Sequence, residues 1–129
     1  MEPKPGSVSG NIPPHYFMMV IVEACLFAPF DCEPAIIAGG YVFQGQLAVG
    51  DTAQLVGPSG KRYTVTIDSL IRPRYGRVGQ IQTGDSAQCR LGGITKDALE
   101  PDQVLMKIPP NVRPTVKKVG VDIAVTLES

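Results

Sequence analysis

The sequence predicts an all-β domain, and three features carry the prediction. Fourteen Gly and twelve Pro among 129 residues approach twice their usual share. The helix formers Ala, Leu, Glu and Lys never cluster in a long 3.6-residue period. Apolar and polar residues instead alternate at a period of two in several stretches, most cleanly near the C-terminus. A chain of this length fits one domain, burying roughly two-thirds of its unfolded surface.

Residues 1–14 hold four prolines, two glycines and two serines, with Val8 and Ile12 the aliphatic positions of note. Such a segment buries too little to offset its ordering entropy, so it predicts a flexible arm, ordered at most near Ile12. Residues 17–27 are rich in β-branched and aromatic types and predict a strand. Simple alternation sends Met18, Val20, Val22, Ala24 and Leu26 to the core, and Met19, Ile21, Glu23 and Cys25 to the other face. Two prolines and two acids then make 28–34 a loop. Residues 35–47 read as extended chain broken by Gly39-Gly40, a pair that admits positive φ or a sharp bend. Val49-Gly50-Asp51 turns into a strand at 52–56, and Gly57-Pro58-Ser59-Gly60 is a reverse turn that makes a hairpin with 61–72. In that second arm Tyr63, Val65 and Ile67 alternate with Thr64, Thr66 and Asp68.

A basic loop at 72–77 precedes Val78 to Ile81. Gly84-Asp85 then repeats Gly50-Asp51: a glycine free to take positive φ, followed by an acid able to accept local backbone N–H groups. The next strand ends at Gly92-Gly93, a polar bridge spans 97–102, and Val104-Leu105 resumes extended chain. Pro109-Pro110 stops it, and 111–117 is a connector. Val119, Val121, Ile123, Val125 and Leu127 alternate with Gly120, Asp122, Ala124, Thr126 and Glu128, predicting one long strand. Left unpaired it would invite aggregation, so it either closes the chain's own sheet or exchanges with another copy. The division is an arm at 1–14, a body at 15–110, and a connector with a C-terminal strand at 111–129 packed on the body or on a partner.

Twelve basic and twelve acidic residues cancel, removing any global field toward nucleic acid or anionic membrane. Cys25, Cys32 and Cys89 lack C-x-x-C spacing and there is a single histidine, so neither a disulfide framework nor a zinc site is expected. The apolar run at 17–27 is too short to span a bilayer and contains Glu23, and the first residues do not read as a secretory leader. The expectation is a cytoplasmic protein with no metal and no cofactor.

Six short pieces, in order, resemble a known family: Val42-Phe43-Gln44-Gly45-Gln46-Leu47, Val49-Gly50-Asp51, Ile67-Asp68-Ser69-Leu70, Thr83-Gly84-Asp85, Leu91-Gly92-Gly93-Ile94 and Gln103-Val104-Leu105. Together they are similar to the second domain of translational GTPases such as elongation factor Tu. The likeness runs from Phe17 to Ile108, about seven-tenths of the chain. It implies a small closed antiparallel β-barrel, Greek-key-like, to which the C-terminal strand is an addition. The chain departs from the family's pattern at Ala38-Gly39-Gly40, Gly92 and Asp102. No G-x-x-x-x-G-K-[ST] motif is present, and Gly57-Pro58-Ser59-Gly60-Lys61-Arg62 has the wrong spacing with no Ser or Thr after it, so no GTP binding through that motif is expected.

The candidate sites follow from charge and pattern. Residues 1–60 carry five acids and one base, whereas 61–77 carry Lys61, Arg62, Arg72, Arg74 and Arg77 against the single acid Asp68, with Tyr63 and Tyr75 interleaved. Lys61, Arg62, Arg72, Arg74, Tyr75 and Arg77 therefore form a candidate RNA contact, in which cations meet phosphates and a tyrosine stacks on a base; the competing reading is the solvated ends of a hairpin. Val119, Val121, Ile123, Val125 and Leu127 form a candidate interface through strand addition. His15, the Asp31-Cys32-Glu33 cluster and the Asp51 and Asp85 pair read as structural or solvated, and Tyr41, Phe43 and Met18-Met19 as packing. No nucleophile, base and orienter assemble from one histidine and scattered acids, so an enzyme is not expected. The function expected is a non-enzymatic binding module that docks to a protein partner or to itself, with an RNA-binding accessory of translation as the alternative.

Overall fold

The computed structural model describes residues 8–9, 12–27 and 33–128. Most of the expected arm, together with Asp31 and Cys32, lies outside these residues. The strands are β1 (Val8–Ser9), β2 (Phe17–Phe27), β3 (Ala35–Gln44), β4 (Gln46–Ala48), β5 (Thr52–Val56), β6 (Arg62–Arg72), β7 (Gly76–Val78), β8 (Gln80–Gln82), β9 (Ser86–Gly92), β10 (Val104–Lys107), β11 (Arg113–Val119) and β12 (Asp122–Glu128). One 3-10 turn at Lys96–Ala98 forms the bridge before β10.

Six strands close a ring in the order β5-β10-β2-β3-β9-β6, with β6 pairing back to β5 and every pairing antiparallel. The expected small closed antiparallel barrel is therefore present. Closure removes the unpaired sheet edges, and β7 is hydrogen-bonded to β6 outside the ring. The interior is filled by Phe17, Met19, Ile21, Ala38, Val42, Leu55, Val65, Ile67, Leu70, Cys89, Leu91 and Leu105. The short β4–β8 ribbon adds Leu47 and Ile81, both buried in the same core.

The turn chemistry follows the sequence. Gly50 and Gly84 take φ of 92° and 90°, and each following aspartate accepts the N–H three residues back, Ala48 to Asp51 at 2.9 Å and Gln82 to Asp85 at 2.8 Å. The Gly57–Gly60 turn joins β5 to β6 as expected, with Gly60 N–H donating to Gly57 C=O at 3.1 Å.

Strand β2 departs from simple alternation. Phe17, Met19 and Ile21 point into the barrel, while Met18 and Val20 lie in a second core on its outer side. Val22 and Leu26, expected inside, are exposed. At Val22 the cause is a bulge: the register passes from Ile21 opposite Gly40 directly to Glu23 opposite Gly39, leaving Val22 without a partner, whereas Leu26 keeps the inward row of Ile36 and Leu91 at the open end of the barrel. Gly39-Gly40 serves this bend by absence of bulk, since a Cβ on Gly40 would lie 1.7 Å from the Val20 carbonyl oxygen.

The stretch expected as one strand from Val119 to Leu127 is a hairpin. The chain reverses at Gly120, whose φ is 63°, and β11 pairs with β12 along its length. The expected connector at 111–117 is thus mostly β11. Val116, Ile123 and Val125 pack on Met18, Val20, Val56, Val104 and Met106, completing the second core. Lys118 reaches Asp102 at 2.8 Å, and β12 also pairs in parallel with β1 at Ile123 and Ala124.

Candidate functional site

Strand β6 decides what the basic residues can do. Lys61 and Arg62 stand at its first end and Arg72 at its last, ten residues apart, which at about 3.3 Å per residue separates them by roughly 30 Å. The sequence-predicted RNA contact is therefore two places. At the first, the Arg62 guanidinium donates to Gln54 Oε1 on β5, through Nε at 2.9 Å. At the second, Arg72 pairs with Asp85 at 3.3 Å and lies over the Tyr75 ring, 4.4 Å from its centroid. Arg74, with φ of 73°, and Tyr75 and Arg77 are exposed at that tip.

The Gly57–Gly60 turn, already excluded as a phosphate loop by its spacing, holds a carboxylate. Glu100 Oε1 accepts the Ser59 hydroxyl at 2.7 Å, and a Cβ on Gly57 would lie 1.9 Å from the same oxygen. A phosphate brought there would meet that negative charge.

The candidate interface valines also divide. Ile123 and Val125 are 2% exposed and spent in the second core, Leu127 packs beside them, and only Val119 and Val121 face solvent near the hairpin tip. The free edge of β11 carries Pro114 and Lys117, both unfavourable to another strand. His15 is exposed, its ring edge-on to Tyr16 at 4.6 Å. Among the described residues no three His, Cys, Asp or Glu side chains group as metal ligands.

A groove that sequence reasoning missed lies on the outer face of the ring. Residues directly opposite in antiparallel strands share a face. Cys25, Ile37, Arg90 and Ser69 thus form one row across β2, β3, β9 and β6. Glu23, Gly39, Gln88, Ile71 and Arg77 form the next, ending on β7. Phe27 continues the β2 side. Between the rows opens a groove of about 310 Å³, lined by Cys25, Phe27, Ile37, Ser69, Ile71, Gln88 and Arg90. Phe27 is 56% and Ile71 38% exposed, high for large apolar side chains sharing one depression. The residues come from four separate strands, so no local motif marks them; the available signals were Arg90 among the buried positions of β9 and the apolar ends of β2 and β6.

No protein-family model matches the chain. Among solved structures, translation elongation factor SelB from Methanococcus maripaludis in its apo form aligns with a TM-score of 0.62 and 16% identity, covering 77% of this chain and 20% of that one. The same factor with the GTP analogue GppNHp covers 90% and 24%, at TM-score 0.62 and 16% identity. The GTP-bound GTPase-like domain of Ski7 from S. cerevisiae aligns with a TM-score of 0.63 and 6% identity over 84% and 27%. The fold is that of a translation-factor barrel. The chain spans only about a fifth to a quarter of the length of these proteins. At such low identity the likeness concerns the fold, and it matches the family resemblance read from the six sequence pieces.

Proposed function

We propose that this chain is a non-enzymatic, cytoplasmic binding module of the translation-factor type, which docks a protein partner in the outer-face groove. The observation that carries this reading is the exposure of Phe27 and Ile71 around one depression, with Arg90 in its lining. Aromatic and aliphatic anchors with a rim arginine are the composition of interface centres. The fold likeness to an elongation factor and to Ski7 supports a role alongside translation. Burial of Ile123 and Val125 within the chain supports a different protein as the partner over exchange of the C-terminal strand between copies.

The test compares immobilised wild-type chain with Phe27→Asp in nuclease-treated extract, followed by titration of the purified partner. A protein retained only by wild type, with affinity weakened at least about tenfold by the substitution, supports the reading; tenfold corresponds to about 1.4 kcal/mol. Equal retention by both chains refutes it. A second reading, RNA contact by Arg74, Tyr75 and Arg77, draws on their exposure at one hairpin tip. It requires retention that nuclease abolishes, and a steep fall in affinity with salt that Arg74→Ala with Arg77→Ala flattens.

A further inference from the structure

The β4–β8 ribbon turns Leu47 and Ile81 inward and presents Gln46, Gln80 and Gln82 on its other face. That face lines an open cleft of about 1050 Å³, shared with His15, Tyr16 and Lys107. The cleft wall is preformed: Gln44 Nε2 donates to the Pro13 and Tyr16 carbonyls at 2.7 and 2.9 Å, fixing the turn that carries the two rings. None of the three ribbon glutamines has a side-chain hydrogen bond to another described residue. The cleft's one lysine is neutralised by Asp51 at 3.0 Å.

We infer that this cleft binds a proline-rich segment of a partner protein in the polyproline II conformation. Such a segment has no internal hydrogen bonds and few N–H groups, so it offers carbonyl acceptors to its surroundings. The cleft offers the complement: two N–H donors on each glutamine amide and a phenolic hydroxyl on Tyr16. Pro14, Pro109 and the edge-on His15–Tyr16 pair supply apolar ridges against which proline rings pack. Two alternatives fit less well. Nucleic acid needs free cations for its phosphates, and Lys107 is already paired. An added β-strand needs free backbone donors, and those of Ala48 and Gln82 are taken by Asp51 and Asp85.

The experiment is a titration of the full ¹⁵N-labelled chain with a ten-residue polyproline peptide, and in parallel with a single-stranded oligouridylate. The expected result is a saturable change confined to the side-chain amides of Gln46, Gln80 and Gln82 and the backbone amides of His15 and Tyr16. Gln46→Ala with Gln82→Ala should weaken it at least about tenfold at an unchanged thermal midpoint, since both side chains are exposed. No saturable change with polyproline, a response centred on Phe27 and Arg90, or the same cleft response to oligouridylate would overturn the inference. These outcomes leave the outer-face groove untouched, because Phe27→Asp alters that groove alone.

Discussion

Gly40 and Gly50 show how differently two glycines can matter. At Gly40 an added methyl meets the Val20 carbonyl at 1.7 Å, against backbone that is itself held in the ring. Gly40→Ala should cost about 3 kcal/mol or more in chemical denaturation, at the upper end of overpacking. Gly50 has open space around its Cβ position and a φ of 92°, so Gly50→Ala should cost only about 1 kcal/mol, the penalty of the left-handed region. The cysteines separate in the same way. Cys89 is buried with its Sγ 3.8 Å from Met19 Sδ, and burial pushes its thiol from 9.0 up to about 12; Cys25 is exposed. A thiol reagent should label Cys25 in the native chain and Cys89 only on unfolding. Because the folded value is the raised one, the stability associated with Cys89 is complete below pH 9 and declines between pH 9 and about 12, at about 1.4 kcal/mol per unit. Cys89→Ala should remove that alkaline slope. Asp51 works in the opposite direction. The Ala48 N–H lowers its carboxyl value, with Lys107 assisting against partial desolvation, so its contribution is present above the ordinary carboxylate value and lost as pH falls through the lowered one. Asp51→Asn should flatten the acid limb of a stability profile.

At the scale of elements, legibility in the sequence depended on how many faces each strand buries. β6 has one dry and one wet face, so alternation alone located it and the turn before it. β2 is buried on both faces up to Ile21 and then bulges, and no period of two can report either event. The last strand looked continuous because Val119 and Val121 extend the alternation of Ile123 to Leu127. Gly120 was the signal for a turn, and it was outweighed by the regular valines around it. The hairpin's hold on the barrel is apolar rather than ionic. Ile123→Ala should cost about 2–4 kcal/mol through the cavity left beneath it, whereas Lys118→Ala, at a half-exposed ion pair, should cost under about 1 kcal/mol. Denaturant midpoints of the two variants would separate these contributions.

For the molecule as a whole, the ring came from ordered fragments of family-like sequence, each short and none decisive alone. The sites did not, because a groove assembled from Phe27, Ile37, Ile71 and Arg90 has no linear signature, whereas the basic run at 61–77 has a linear signature that an eleven-residue strand pulls apart. Overall neutrality likewise concealed local arrangement: acids such as Asp51, Asp85, Asp102 and Glu100 are each tied to a backbone or side-chain donor, leaving Arg74 and Arg77 without an ion pair among the described residues.

Strand β2 is a wall common to two cores, with Met19 on one side and Met18 on the other. The barrel and the C-terminal hairpin therefore have no independent route to opening: loosening the hairpin withdraws support from a strand the ring requires. Heat should unfold both in one transition, and the last amides to exchange with solvent deuterium should be those between Met18 and Ile21.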